Sequence, residues 1–319
     1  METQQHTIFG AGQVGKLLAA ELASRGHRVK LVRRSPAGEA IRGVEWMQGD
    51  ATDPEFAARA CAGSTSVYNC TNPPDYGKWD GVLQPLFRGI WDAAAGANAR
   101  LVQLENLYMY GRPSQSPFDE QTPMQPCAHH GELRKAVNDE LWARHARGEL
   151  QVTVGHASDY FGPGAHQSVV VRPDVLSGIL RGRRVFMLGN IDTPHGYTYT
   201  PDVARGLATL GTSPDALGRA WHLPTSSTIT TRALLEAFAA KAGTKLRVST
   251  VPGWLLKGLG VFSPMLAALA SMRYQWDVPY IIDDGAFRRT FGVEPTSLDT
   301  AIEQTLSAHV AGTVAPAVA

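Results

Sequence analysis

The chain has 319 residues, enough for one large domain or two of ordinary size. Hydrophobic residues make up 44% of it and charged residues 18%, a balance typical of a globular protein with a buried core. The net charge of +1 provides no basic field, which argues against nucleic acid as a partner.

The first 34 residues predict a strand, a glycine turn, a helix and a second strand. Residues 7–9 form a short apolar strand, Gly26 ends the helix, and residues 29–32 form the next strand. Apolar residues at helical spacing lie on one face of the helix. They are Val14, Leu17, Leu18 and Leu22.

The turn between the first strand and the helix has the pattern G-x-G-x-x-G. Gly10 allows the tight turn, Gly12 lets the backbone approach a pyrophosphate, and Gly15 lets helix and strand pack closely. With Gln13 and Val14, they place phosphates at the helix N-terminus, where free N–H groups favour negative charge. This context predicts a dinucleotide site, and the alternative is a glycine-rich turn without a ligand.

The end of the second strand distinguishes the two nicotinamide cofactors. An acidic residue there would bind the ribose 2′-hydroxyl of NAD, but the chain has Arg33 and Arg34. Guanidinium groups suit a 2′-phosphate, so the sequence predicts NADP(H). The alternative is two solvated surface arginines.

Strands and helices continue to alternate through about residue 155, which predicts a Rossmann-type doubly wound parallel sheet, an α/β fold. Asp53 and Pro54 begin one helix as N-cap and first helical residue, and Pro85 is expected to interrupt or kink another. A long polar loop covers residues 105–129. The further strands are predicted at residues 44–48, 65–70, 100–104 and 150–154, and the further helices at 82–95 and 131–147.

The second half is less regular and predicts a smaller C-terminal substrate lobe. We place the cofactor domain at residues 1–165 and the lobe at 166–319, with residues 195–225 returning to the first domain. Residues 251–272 are expected to form buried or substrate-lining helices, with attachment to a membrane interface as the alternative, and residues 311–319 are expected to form a loose tail. Short strands are predicted at 184–188, 197–200, 221–223 and 245–249.

Three cysteines without metal-ligand spacing predict reduced thiols in a cytoplasmic protein. The histidines also lack metal-ligand spacing, so no metal is predicted. No signal peptide is visible, and the longest uncharged run near residues 251–272 is too short for a transmembrane span.

The order of motifs resembles the extended short-chain dehydrogenase/reductase superfamily, of the NAD-dependent epimerase/dehydratase type. The resemblance implies that Asp50, with Ala51 beside it, reaches the adenine, and that Thr71 and Asn72 lie beside the nicotinamide ribose. It also implies that the helix from about residue 131 is where a homodimer would pair. The matching segments are residues 10–15, 49–53 (G-D-x-x-D), 67–72, 109–111 (V-Y-G), 118–123 (D-E-x-x-P), 160–164 (Y-G-P-G) and 198–204 (v-x-D-V-A).

The positions that carry chemistry in this family are altered. Asn106 stands at the Ser or Thr position, and His130 and Arg134 replace the Tyr and Lys of Y-x-x-x-K. His130 could transfer a proton, Arg134 could supply charge or bind the ribose, and Asn106 could donate a hydrogen bond to a carbonyl. Tyr108 offers a shifted phenol. The alternatives are an N-terminal helix histidine, a solvated arginine and a packing tyrosine.

These observations favour an NADP(H)-dependent oxidoreductase that acts on a small carbonyl or alcohol substrate. Two other hypotheses remain open: a redox-neutral nucleotide-sugar epimerase or dehydratase, and a sensor that binds NADP(H) without turnover. The altered catalytic positions favour the sensor, and Arg33 counts against the epimerase, since such enzymes normally keep bound NAD.

Overall fold

A computed structural model of the protein describes residues 3–225 and 227–314. The strands in this part of the chain are β1 (Gln5–Phe9), β2 (Arg28–Arg33), β3 (Val44–Gln48), β4 (Ser66–Asn69), β5 (Arg100–Glu105), β6 (Gln151–His156), β7 (Asp159–Phe161), β8 (Arg184–Leu188), β9 (Pro194–Tyr199), β10 (Ala220–His222), β11 (Ser227–Thr230) and β12 (Arg247–Val251). The α-helices are α1 (Gly15–Ser24), α2 (Pro54–Cys61), α3 (Leu83–Gly96), α4 (His129–Ala146), α5 (Pro173–Leu180), α6 (Thr200–Thr212), α7 (Thr231–Lys241), α8 (Gly253–Gly260), α9 (Pro264–Met272), α10 (Tyr274–Asp277), α11 (Gly285–Phe291) and α12 (Leu298–Val314).

Seven parallel strands of the described chain form the central sheet, in the order β10-β6-β5-β4-β1-β2-β3. Helices α2, α3 and α4 cover one face with an apolar cluster that includes Phe87 and Trp91, and α1, α6 and α11 cover the other. The order reverses at β1, so the connections that leave β1 and β4 run to α1 and α3 on opposite faces of the sheet and leave a crevice beyond the carboxyl ends of these strands. The predicted Rossmann-type α/β fold is confirmed.

Local sequence signals fix several element boundaries as predicted. The Asp53 carboxylate caps α2 by accepting hydrogen bonds from the N–H groups of Glu55 and Phe56, at 3.0 and 3.3 Å. Contrary to expectation, Pro85 does not interrupt α3, because it lies in the first helical turn, where its missing N–H costs no intrahelical bond.

A smaller group of elements packs beyond the sheet, around a separate apolar cluster from α5, α7, α12 and the strands beside them. Here β11, β9 and β7 form one small sheet, and β12 pairs with β8 in another. Strands β7 and β11 were not predicted from the sequence. Strand β10 joins the edge of the central sheet, and α6 packs against α1 in the cluster on that face.

Two expectations for the second half need correction. Helices α8 and α9 are not wholly buried, because Trp254 in α8 is 74% exposed and Met265 in α9 is 50% exposed, although α9 also contributes Leu269 and Met272 to the lining of a cleft. Helix α12 continues to Val314, so residues 311–314 are not a loose tail. The rest of that predicted tail, residues 315–319, lies outside the described residues.

Candidate functional site

A cleft of about 1440 Å³ opens at the carboxyl ends of the central strands. One wall is the glycine turn after β1 together with the loops after β2 and β3. The other is made by the loops after β4, β5 and β6 and by residues of α9 and α10. The cleft is therefore where ligands of doubly wound sheets bind.

The glycine turn is shaped to receive a pyrophosphate. Gly10 has a φ of +101°, which side chains rarely adopt, and a Cβ on Gly15 would lie 1.8 Å from the carbonyl oxygen of Gly10. A Cβ on Gly12 would meet nothing within 4 Å, so the lack of a side chain here leaves room in the cleft for a ligand to approach the backbone. Gln13 and Val14 also line the cleft, whereas Gly15 serves the packing of α1 against β1.

The loops after β2 and β3 form the end of the cleft that suits an adenosine. Arg33 and Arg34 both line it, and the Arg33 guanidinium lies 5.8 Å from the centroid of the Trp46 ring. Asp50 and Ala51 line the same end. A hydrogen bond from the Thr52 backbone N–H lowers the pKa of Asp50, which keeps this carboxylate ionised as an acceptor.

The loop after β4 is held in place by side-chain hydrogen bonds. Asn69 Oδ1 accepts from the Thr71 backbone N–H at 3.0 Å and from the Thr71 hydroxyl at 2.6 Å. Asn72 Oδ1 accepts a hydrogen bond from Arg134 Nη2. Thr71 and Asn72 both line the cleft, so the residues present fit a dinucleotide along its whole length.

Arg134 is not the solvated arginine of the alternative reading. Its Nη1 donates to Glu105 Oε2 at 3.0 Å, and the two side chains are only 3% and 2% exposed. The guanidinium also lies 4.6 Å from the centroid of the Trp79 ring. Arg134 touches the cleft, and its Nη1 and Nη2 already donate to Glu105 and Asn72, whereas its buried Nε has no hydrogen-bond partner among the described residues.

Asn106 and Tyr108 meet in the cleft at the end of β5. Asn106 Oδ1 accepts a hydrogen bond from the Tyr108 backbone N–H at 3.0 Å, which leaves the Asn106 amide N–H₂ as the donor. The Tyr108 ring stacks on Trp79 with centroids 6.3 Å apart. Burial raises the pKa of Tyr108 to about 12, and the nearby Asp159 charge adds to that shift.

The structure does not place His130 on the cleft wall. The residue is 6% exposed, and its Nε2 lies 2.7 Å from the carbonyl oxygen of Tyr76. Its ring stacks on that of Tyr76 at 4.7 Å. Burial lowers the pKa of His130, so the ring is neutral and anchors the loop that carries Tyr76.

Sequence reasoning missed an acidic residue on the side of the cleft opposite the glycine turn. Asp159 lines the cleft at the start of β7, and its Oδ2 lies 2.8 Å from Nε2 of His195 on β9. Its partner lies 36 positions away in the chain and was not predictable from local spacing. Apolar residues complete this side: Leu188, Met265, Leu269, Met272 and Trp276.

Comparison with known families identifies the chain. The sequence model of the NAD dependent epimerase/dehydratase family matches residues 7–223, which is more than half of the chain. The chain belongs to this family. The resemblance seen in the sequence motifs is thereby confirmed, and the family implies a nicotinamide dinucleotide in the cleft. No curated protein sequence matches the chain.

Solved structures of similar architecture confirm the fold. A dTDP-glucose 4,6-dehydratase from Streptomyces venezuelae, with NAD and TYD bound, superposes with a TM-score of 0.77 at 17% identity over 96% of this chain and 97% of its own. An epimerase from Methanothermobacter thermautotrophicus gives 0.79 at 18% over 98% and 94%. A UDP-glucose 4-epimerase gives 0.78 at 15% over 97% and 98%. At these identities the likeness establishes the fold alone.

The described part of the chain contains neither a metal-binding cluster nor a membrane-spanning helix. Within residues 3–225 and 227–314, no group of three or more His, Cys, Asp or Glu side chains is placed to hold a metal ion. In the same residues, no helix has the length and apolar character needed to cross a bilayer.

Proposed function

We propose that the protein is an NADP(H)-dependent oxidoreductase that transfers hydride to or from a small carbonyl or alcohol substrate. The observation that carries the cofactor choice is the pair Arg33 and Arg34, which line the cleft at the end of β2. Neither has an ion-pair partner among the described residues, so both are available to a 2′-phosphate. A guanidinium presents several hydrogen-bond donors to phosphate oxygens. It gains more from a charged 2′-phosphate than from a neutral ribose hydroxyl.

The residues of the cleft divide the remaining work between them. The nicotinamide, when bound, supplies or accepts the hydride. The Asn106 amide N–H₂ donates a hydrogen bond that polarises a substrate carbonyl, and the Tyr108 hydroxyl holds the proton for the substrate oxygen. Arg134 and Glu105 fix the loops after β4 and β5 relative to each other.

The cofactor assignment is tested by measuring NADPH and NADH binding to the wild type and to Arg33→Ala. Loss of charge-assisted hydrogen bonds is worth about 1.5–3 kcal/mol, so NADPH should bind roughly 10- to 150-fold more weakly while NADH changes little. The matched control is Arg28→Ala, which removes the same charge from the opposite end of β2. An equal loss for both cofactors would refute the assignment.

A sensor that binds NADP(H) without turnover is the second candidate. It is favoured by His130 and Arg134, which stand at the family's Tyr and Lys positions but are bonded to Tyr76 and Glu105. NADPH deuterated at the transferable position separates the candidates when it is incubated with the protein and a pooled cell extract. Label in a new product supports the oxidoreductase, and binding without label supports the sensor or a redox-neutral enzyme.

A further inference from the structure

The pair formed by Asp159 and His195 lies on the substrate side of the cleft, opposite the glycine turn. His195 is 1% exposed and the Asp159 side chain 16%. The His195 ring stacks against Trp276 and Tyr280, with centroids 5.7 and 5.8 Å away. An aromatic pocket thus holds the imidazole, and the imidazole orients the carboxyl group.

The hydrogen-bond partners of His195 define what Asp159 offers to a ligand. His195 Nδ1 lies 3.2 Å from the carbonyl oxygen of Gln275, which can only accept, so Nδ1 carries a proton. One proton then lies between Nε2 and Asp159 Oδ2, on one atom or the other. In both cases Asp159 Oδ1 is an acceptor, and among the described residues it has no hydrogen-bond partner.

The other charges on this side of the cleft do not favour an anionic substrate. Arg172 donates to both carboxylate oxygens of Asp174 at 3.0 Å, and Arg134 is paired with Glu105. The lining cations without a carboxylate partner among residues 3–225 and 227–314 are Arg33 and Arg34, at the adenosine end. A phosphate or carboxylate on the second substrate would meet an acceptor oxygen and no unpaired cation.

We propose that Asp159, oriented by His195, selects the second substrate by accepting a hydrogen bond from its hydroxyl or ammonium group. The substrate class is an uncharged or cationic molecule with an apolar body, because Met265, Leu269 and Trp276 form the neighbouring wall. This inference rests on the proposed function for the identity of the other ligand. It separates the protein from enzymes of nucleotide-diphosphate sugars by charge, since a diphosphate is excluded at this end.

The test uses three probes that share a phenyl ring: 2-phenylethylamine, 2-phenylethanol and phenylacetate. Saturation-transfer NMR titrations against the protein, with and without saturating NADPH, give their dissociation constants. We expect the amine and the alcohol to bind at least tenfold more tightly than the acid. In Asp159→Asn the preference for the amine over the acid should fall below threefold.

Asp75→Asn is the matched control, because it removes an equal charge from a cleft residue whose side chain is 50% exposed and paired with Lys78. It should keep the wild-type preference. Equal binding of amine and acid, no binding of any probe, or a preference that survives Asp159→Asn would overturn the proposal. The wild-type comparison does not depend on how the variant folds. Loss of NADPH binding would instead count against the proposed function, since the probes are also titrated without cofactor.

Discussion

The buried pair of Arg134 and Glu105 gives the sharpest test of what the altered family positions do. In Arg134→Met the apolar stem is kept and the guanidinium is lost, which leaves Glu105, 3% exposed, without its counter-charge. The contact with the Trp79 ring is lost as well. If Arg134 serves the fold, the main effect will be on stability.

The size of the effect follows from burial. Removing one partner of a buried ion pair costs about 3–5 kcal/mol, a large part of the roughly 5–15 kcal/mol that stabilises a protein. Burial already raises the pKa of Glu105, and the Arg134 guanidinium opposes that shift. In the variant the guanidinium no longer opposes the effect of burial, and only the hydrogen bonds from Gln103 and the Asn106 backbone still do, so the folded-state pKa of Glu105 lies further above the unfolded one. Stability should then be greatest at low pH and fall as pH rises through that pKa.

Urea unfolding followed by tryptophan fluorescence at pH 5.5 and 8 measures these changes. The double variant Glu105→Gln/Arg134→Met removes both charges and should recover at least half of the loss. Arg88→Met is the matched control, because the Arg88 side chain is 47% exposed and its pair with Glu140 should be worth less than about 1 kcal/mol. A loss below about 1 kcal/mol for Arg134→Met, or no recovery in the double variant, would refute this reasoning.

Three other variants or conditions test separate parts of the structure. Tyr108→Phe should lower turnover of an identified substrate by about 10²–10⁴-fold and leave NADPH affinity unchanged, and retained turnover would exclude this phenol as the proton donor. Gly15→Ala should weaken NADPH binding more than tenfold, because the new Cβ would lie 1.8 Å from the carbonyl oxygen of Gly10. Gly96→Ala is the control and should leave binding unchanged, because no atom lies within 4 Å of the Cβ that it adds. Acid should destabilise the protein, because three buried neutral histidines have pKa values below that of the unfolded state. The unfolded chain therefore takes up protons below about pH 6.5 that the folded chain does not. The free energy of unfolding should fall with pH by up to about 4 kcal/mol per pH unit for the three protons. Urea unfolding between pH 7 and 5 checks this, and a flat profile would contradict it. Burial lowers the pKa of His6 to about 4, of His156 to about 4 and of His222 to about 3.

Local sequence determined the first strand–helix–strand unit of the protein and the start of α2. The spacing of apolar residues predicted β1, α1 and β2. The glycine turn is recognisable from sequence because its motif lies within six consecutive residues. The N-cap at Asp53 is likewise a contact between neighbours in the chain. The parallel pairing of β1 with β2 and the presence of α1 between them confirm the predicted elements, and the family match confirms the resemblance.

Tertiary structure alone decided the side of the cleft opposite the glycine turn. Whether His130 faces the cleft or the loop at Tyr76 depends on how a segment 54 residues away packs against it. The pairing of Asp159 with His195 requires β7 and β9 to lie side by side in a small sheet whose first strand was not visible in the sequence. Periodicity reports which face of an element is buried, whereas a polar contact between elements depends on their packing.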